Sequence, residues 1–285
     1  MLALVAAVGY GVSDFVGGVA SRRVAALRVV IVSYPLSLLL VLALTPLVGG
    51  TVSAEALLWG AASGVGSGLA VWWFYLALAA GPMAVVSPLT AVLVAGLPVA
   101  VGVVLGERPG PVAYGGIVVA LAAVVLVSRE SPDAVAGEVA GGRQLRFTRP
   151  VAWLTVGSGV AFAFAFVGLH EIPDGTGLLP LAAARAAATA VVWTVALASR
   201  HVRPPHGEVL RLSVYIALLD VVANAAMMFA FQGGLLSLVS VIGSLYPAAT
   251  VLLAMVMLGE RVSRTQQAGL LLALASVAMI AVAAV

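Results

Sequence analysis

The sequence predicts an all-α integral membrane protein, with ten transmembrane helices arranged as two inverted five-helix repeats. Three observations point there. Of 285 residues, 63% are hydrophobic and 9% charged, and the mean hydropathy is +1.18. A soluble domain carries about a quarter charged residues, so this chain lacks the polar side chains to cover a water-facing surface. Its apolar residues fall into ten runs, each near the roughly 20 residues a helix needs to cross hydrocarbon. Finally, the tetrapeptide Leu-Gly-Glu-Arg occurs twice, ending at Arg108 and at Arg261.

The runs, bounded by glycine, proline or charge, lie at 2–20, 27–48, 56–80, 83–105, 111–128, 150–170, 178–199, 209–233, 235–258 and 266–284. Helices are expected, because lipid cannot satisfy exposed backbone groups and no alternating pattern suggests a barrel. The first run lacks a basic leader and is interrupted by Asp14, which argues against a signal peptide. In the third, Gly60, Gly64 and Gly68 recur every four residues and define a face for close helix packing, and secondarily for sliding. The fourth contains Pro88 and Pro98 and the ninth Pro247, each able to break the helical ladder and expose carbonyls to a cavity. Between the fifth and sixth runs, Ser128 to Arg149 is the longest polar stretch. It reads as a flexible linker, dividing the chain into a first repeat at 1–128, a linker at 129–149 and a second repeat at 150–285.

The two Leu-Gly-Glu-Arg copies are 153 positions apart. At that offset Gly81 meets Gly234, Ser87 meets Ser240, Gly116 meets Gly269, and Ala120-Leu121-Ala122 meets Ala273-Leu274-Ala275. A unit with an odd number of helices enters the membrane from opposite sides on its two appearances, so duplication yields an inverted repeat, as in many secondary transporters. Arginines gather at Arg22 and Arg23, in the linker, at Arg200, Arg203 and Arg211, and at Arg261 and Arg264, while the alternate loops hold only Arg108. The positive-inside rule then places the odd-numbered loops in the cytoplasm and both termini outside.

Composition excludes several chemistries. With no cysteine there are no disulfides, thiolate metal sites or thiol nucleophiles. With no lysine there is no imine chemistry. His170, His201 and His206 do not pair at helical spacing within a span, which argues against a membrane cytochrome. No Gly-rich phosphate loop is present, so ATP is not expected to drive this chain. The net charge of +3 is better explained by arginines that orient the spans than by nucleic-acid binding. No metal, cofactor or catalytic residue is expected.

Asp14, Arg185 and Asp220 are the ionisable residues clearly inside spans. A charge at mid-helix costs roughly 2.5–3.5 kcal/mol on insertion scales, so such residues face a cavity or a partner. Asp220 lies near the middle of the eighth run with Asn224 one turn on, on the same face. The pair reads either as a proton-accepting or amine-binding site or as a lock between the eighth helix and its neighbours. Asp14 is either a second functional carboxylate or a boundary group that snorkels or caps. Arg185 either pairs with a carboxylate or, the favoured reading, snorkels to headgroups. Glu107-Arg108 and Glu260-Arg261 read as boundary and interhelix anchors. Tyr10, Trp73, Phe164 and Tyr246 are candidate cavity walls, with lipid-facing placement the competing reading for each. Phe162, Phe164 and Phe166, at spacing two, cannot share one helical face.

Ten spans, the duplication and the paired Gly-Glu-Arg together resemble the EamA branch of the drug/metabolite transporter superfamily. The second copy fits well: Leu245-Tyr246-Pro247, then Glu260-Arg261 thirteen residues after the proline, then Gln267 and Gly269. In the first copy the position matching Pro247 is Val94, so a kink there does not carry over. The resemblance implies alternating access through a central cavity lined by helices one, three, four, six, eight and nine, and cytoplasmic termini, opposite to the arginine count. It leaves the substrate open. The expected function is a secondary transporter, an exporter of small metabolites or drugs. The expected partners are a small-molecule substrate, the lipid bilayer and protons as candidate coupling ion, with no nucleic acid. The expected state is a monomer or homodimer in the bacterial inner membrane. A non-transporting membrane subunit and an enzyme on lipid-linked substrates are the alternatives. The enzyme reading finds no DDxxD, no HExxH and no Ser/His pair at depth.

Overall fold

The computed structural model describes residues 1–21, 24–80, 83–127, 148–200, 202–258 and 263–283, and among these it is helical with no strand. The helices are α1 (Leu2–Ser21), α2 (Ala26–Val48), α3 (Ala54–Ala80), α4 (Met83–Val104), α5 (Pro111–Val127), α6 (Arg149–His170), α7 (Leu179–Ala198), α8 (Glu208–Gln232), α9 (Leu236–Gly243), α10 (Tyr246–Leu258) and α11 (Arg264–Ala283). Five stretches are long and apolar enough to cross a membrane: Leu27–Val48, Ala54–Phe74, Arg149–His170, Leu179–Ala198 and Glu208–Gln232. Leu2–Gly17, Leu89–Val104 and Pro111–Leu126 are shorter apolar helices. Arg22, Arg23, most of the linker and Gly259, Glu260 and Arg261 of the second tetrapeptide lie outside the described residues.

Two boundaries differ from the sequence expectation. Arg149, assigned to the linker, opens α6: Thr148 is extended and Pro150 stands in the first turn, where a missing N–H costs nothing. The ninth run is two helices rather than one. α9 ends at Gly243, Ser244 and Leu245 turn the chain, and α10 starts with Tyr246 and Pro247. Proline cannot donate into the ladder, so Pro247 sits without cost in the first turn of a new helix, where that N–H would have no partner. At the matching place in the first half, Val94, α4 runs unbroken, and it continues through Pro88 and Pro98 as well.

The first Leu-Gly-Glu-Arg copy closes α4, and each of its last three residues contributes. Gly106 adopts φ +102°, a conformation that favours glycine, and the Glu107 N–H turns back to the Gly102 carbonyl at 2.9 Å, ending the helix in the manner of a Schellman turn. The Arg108 guanidinium donates to the carbonyls of Val103 and Glu107, at 3.0 and 2.8 Å, where cationic charge suits the helix terminus. The Glu107 carboxylate reaches across to α9 and accepts from the backbone N–H groups of Leu236 and, at 3.0 Å, Ser237. Those are orphan donors at a helix N-terminus, and an anion there satisfies both hydrogen bonding and the helix dipole. Glu107 is therefore an interhelix anchor, joining the C-terminal end of α4 to the N-terminal end of α9.

The halves interlock. α1 packs on α8, α6 on α3, α3 on α7, α8 on α2, and α5 on α11. Replacing each helix by its counterpart in the other half exchanges the first two pairs, exchanges the next two, and maps the last onto itself. The glycine face of α3 lies directly on α7: a Cβ at Gly60 would sit 2.2 Å from the Pro180 carbonyl oxygen, and one at Gly64 2.0 Å from that of Ala184. The loop before α3 meets the loop before α7, where the Thr51 N–H donates to the Gly175 carbonyl at 2.9 Å. The main buried cluster includes Phe166, Met227, Met228, Phe231 and Leu236, so apolar burial runs through the α6–α8–α9 contact and across to α1, whose Ala3 and Ala6 belong to it.

Candidate functional site

The polar centre of the bundle is built on α8. Asp220 and Asn224 are one turn apart, and the Asn224 amide donates to the Asp220 main-chain oxygen at 2.8 Å and to its Oδ1 at 2.9 Å. From α7, Arg185 Nη1 donates to both carboxylate oxygens of Asp220, at 3.1 and 2.9 Å, and Nη2 donates to Asn224 Oδ1 at 3.1 Å. From α2, the Ser37 hydroxyl donates to Asp220 Oδ2 at 2.6 Å, and the Tyr34 ring centroid lies 5.5 Å from the Arg185 guanidinium carbon. From α1, the Tyr10 hydroxyl donates to Asn224 Oδ1 at 3.0 Å. Four helices from both halves thus converge on one charge-compensated network near mid-span.

This placement overturns the expectation that Arg185 reaches headgroups. Arg185 is only 4% exposed. Its Nη1 donates to both Asp220 oxygens and its Nη2 to Asn224, and these charge-assisted bonds in low dielectric outcompete a stretch toward the interface. The Arg185 Nε remains buried without a hydrogen-bond partner among the described residues. Asp220 has both oxygens engaged, which is the lock reading of the Asp220–Asn224 pair. Sequence reasoning did not find Ser37 or Tyr34, which carry no signal beyond being ordinary polar residues of α2. The Arg185–Asp220 pairing did have a signal: opposite charges inside apolar spans favour each other over hydrocarbon.

Asp14 is placed differently. It shares a helical face with Tyr10, Ala7 and Ala3, at intervals of four, three and four residues. Ala3 and Ala7 are buried, whereas Val5 and Val8 on the opposite side are exposed. Asp14 itself is exposed although it lies on the inward face. It interacts electrostatically with Tyr10 and with Tyr246 of α10. Among the described residues it has no hydrogen-bond or ion-pair partner.

Trp73 and Phe164 are set apart from this group. They line an open apolar groove of about 460 Å³ between α3 and α6, together with Val65, Trp153 and Val160. Phe164 is 45% exposed on the face shared with Trp153 and Val160. Phe162 and Phe166 point the other way, to Phe74 at 6.5 Å and Phe231 at 5.8 Å between ring centroids, as the spacing of two requires. Of the sequence candidates, the structure gathers Tyr10, Asp14, Asp220, Asn224 and Tyr246, and it leaves Trp73 and Phe164 outside. Among the described residues, no group of His, Cys, Asp or Glu could hold a metal ion.

Comparison with curated proteins finds no match. Among solved structures 29 chains match. One of them, a crystal structure, aligns over 99% of this chain and 96% of its own with a TM-score of 0.76 at 17% identity, a likeness of fold. The profile of the EamA-like transporter family matches residues 149–282. Residues 149–282, which carry Arg185, Asp220, Asn224 and Tyr246, therefore belong to the EamA-like transporter family of the drug/metabolite transporter superfamily, and the protein is a multi-pass membrane protein.

Proposed function

We propose that the chain is a ten-span secondary transporter of the bacterial inner membrane, two inverted repeats that export small metabolites or drugs by alternating access, coupled to protons through in-span carboxylates. The observation that carries this reading is the polar centre itself. A carboxylate, an amide and tyrosines lie inside the bundle, contributed by helices of both halves, within and beside the segment that matches a transporter family. Polar groups at this depth are expensive and mark substrate or ion pathways.

Inversion is supported by Glu107. It joins the end of α4 to the beginning of α9, and those helices occupy matching places in the two repeats, so matching elements run in opposite directions. The break between α9 and α10 also fits, because irregular backbone at membrane depth is tolerated where it faces protein or a water-filled cavity. Rocking one half against the other would work on the Tyr10–Asn224 and Ser37–Asp220 bonds, which cross between halves.

The test is flux of a metabolite and drug panel into proteoliposomes containing the purified chain. Saturable flux of at least one compound, stimulated by an imposed pH gradient, is expected, with the stimulation lost in Asp14→Asn or Asp220→Asn. Flux indifferent to the gradient would replace coupled transport by facilitated exchange. No flux across the panel would refute the transport reading.

A further inference from the structure

We propose that the groove between α3 and α6 holds one acyl chain of an anionic phospholipid, with Arg149 taking the phosphate of its headgroup. The inference needs only a multi-pass membrane protein and does not depend on transport. No charged or hydroxyl side chain lines the groove, so its occupant there is apolar. Two glycines set its depth. A Cβ at Gly66 would stand 2.9 Å from the Phe164 ring, and one at Gly157 would stand 3.1 Å from the Trp73 ring. Each ring therefore lies down over bare backbone of the opposite helix. In the α1–α8 contact, the counterpart of this one, the matching positions are Leu219 and Leu4. The small-residue floor belongs to α3 and α6 alone.

Length and charge identify the occupant. The two helices run antiparallel: Ser63 meets Gly168, Gly66 meets Phe164, and Trp73 meets Gly157. Along α6 the groove extends from Trp153 to Phe164, a rise of about 16 Å at 1.5 Å per residue. One leaflet presents about 15 Å of hydrocarbon, half the thickness of the bilayer core. A helix from a second copy of the chain would need about twice that length. The headgroup belongs at the tryptophan end, because tryptophan favours the boundary between membrane and water, and Trp153 is 76% exposed. One turn before Trp153, on the same face, Arg149 opens α6. It is exposed and, among the described residues, has no hydrogen-bond or ion-pair partner. The acidic residue in the first turn of α3, Glu55, lies at the far end of that helix. A cation thus stands unneutralised where an acyl chain leaves the groove, and a guanidinium matches a phosphate through paired N–H donors.

The experiment is native mass spectrometry of the detergent-purified full chain, titrated with palmitoyl-oleoyl phosphatidylglycerol and with the phosphatidylcholine of the same acyl chains. The first phosphatidylglycerol should bind about fivefold tighter than phosphatidylcholine, the scale of one basic residue facing an anionic headgroup. Arg149→Gln should bring the two lipids level. Val160→Trp and Val65→Trp fill the groove from α6 and from α3 at exposed positions, and each should weaken both lipids by about tenfold. Arg211→Gln and Val118→Trp, an exposed arginine and an exposed valine elsewhere, should behave as the parent chain. Equal binding of the two lipids overturns the proposal, as does a preference that survives Arg149→Gln, or binding untouched by both groove-filling variants. A dimer that Val160→Trp dissociates, with no lipid retained, would give the groove to a second copy and overturn it too. Retained phosphatidylglycerol with no flux of any compound would sink transport but keep this inference. Flux without a lipid preference would do the reverse.

Discussion

Replacing Asp220 by alanine leaves the Arg185 guanidinium inside the bundle without its carboxylate. The hydrogen bonds removed are 2.9 and 3.1 Å long, and the two side chains are 5% and 16% exposed. Breaking a buried pair from one side costs about 3–5 kcal/mol, because the remaining charge stays desolvated. Asp220 also accepts from Ser37 and Asn224, neutral donors whose bonds are worth about 1 kcal/mol each, so Asp220→Ala should fall at the upper end. Arg185→Met should cost less, since the Asp220 carboxylate keeps the Ser37 and Asn224 donors. The double replacement removes both charges and should recover most of the Asp220→Ala loss. The assay is a denaturant titration of the purified protein in mixed micelles, followed by circular dichroism, closed as a double-mutant cycle. Single losses that add to within about 0.5 kcal/mol would mean the two charges do not depend on each other, and would restore the headgroup reading of Arg185.

Glu107→Ala should lower stability by about 1.5–3 kcal/mol, the worth of hydrogen bonds to a charged group, and Glu107→Gln by about half as much, read in the same titration; an effect of Ala within error would remove Glu107 as the anchor of α9. Gly64→Val should cost about 1–3 kcal/mol by overpacking, since its Cβ would meet the Ala184 carbonyl. Gly96→Ala, with open space around it, should be neutral or better, and equal losses at the two sites would refute the close α3–α7 contact. Phe164→Ala should leave flux unchanged; a tenfold loss would put the α3–α6 groove back in the ligand path.

The charged pair of the polar centre comes from residues 149–282 alone. At the 153-residue offset, Asp220 corresponds to Ser67, Asn224 to Val71 and Arg185 to Val32. Ser67 merely donates to the Gly64 carbonyl of its own helix at 3.0 Å. Packing is therefore shared between the halves while the charged pair is confined to one.

By itself the sequence determined what depends on local composition and spacing. The outer ends of the apolar runs match helix ends to within two residues, although the ninth run spans the break at Ser244 and Leu245, because hydrocarbon length and backbone satisfaction leave few options. Of the prolines it singled out, Pro247 marks a real break while α4 carries Pro88 and Pro98 without one. The every-fourth glycine stripe of α3 marked its packing face, because small residues act through nearby backbone. Asp14 and Asp220 stood out because charge in an apolar span is costly wherever it lies. Only the tertiary structure decided which charges meet. Whether Arg185 reached for headgroups or for Asp220, and whether Phe164 stood with the polar centre or apart from it, turned on which helix lies beside which, and hydrogen bonds spanning 35 to 214 positions along the chain leave no trace in local spacing. The same packing paired Asp220 with Arg185 and left Asp14 without an ion-pair partner among the described residues.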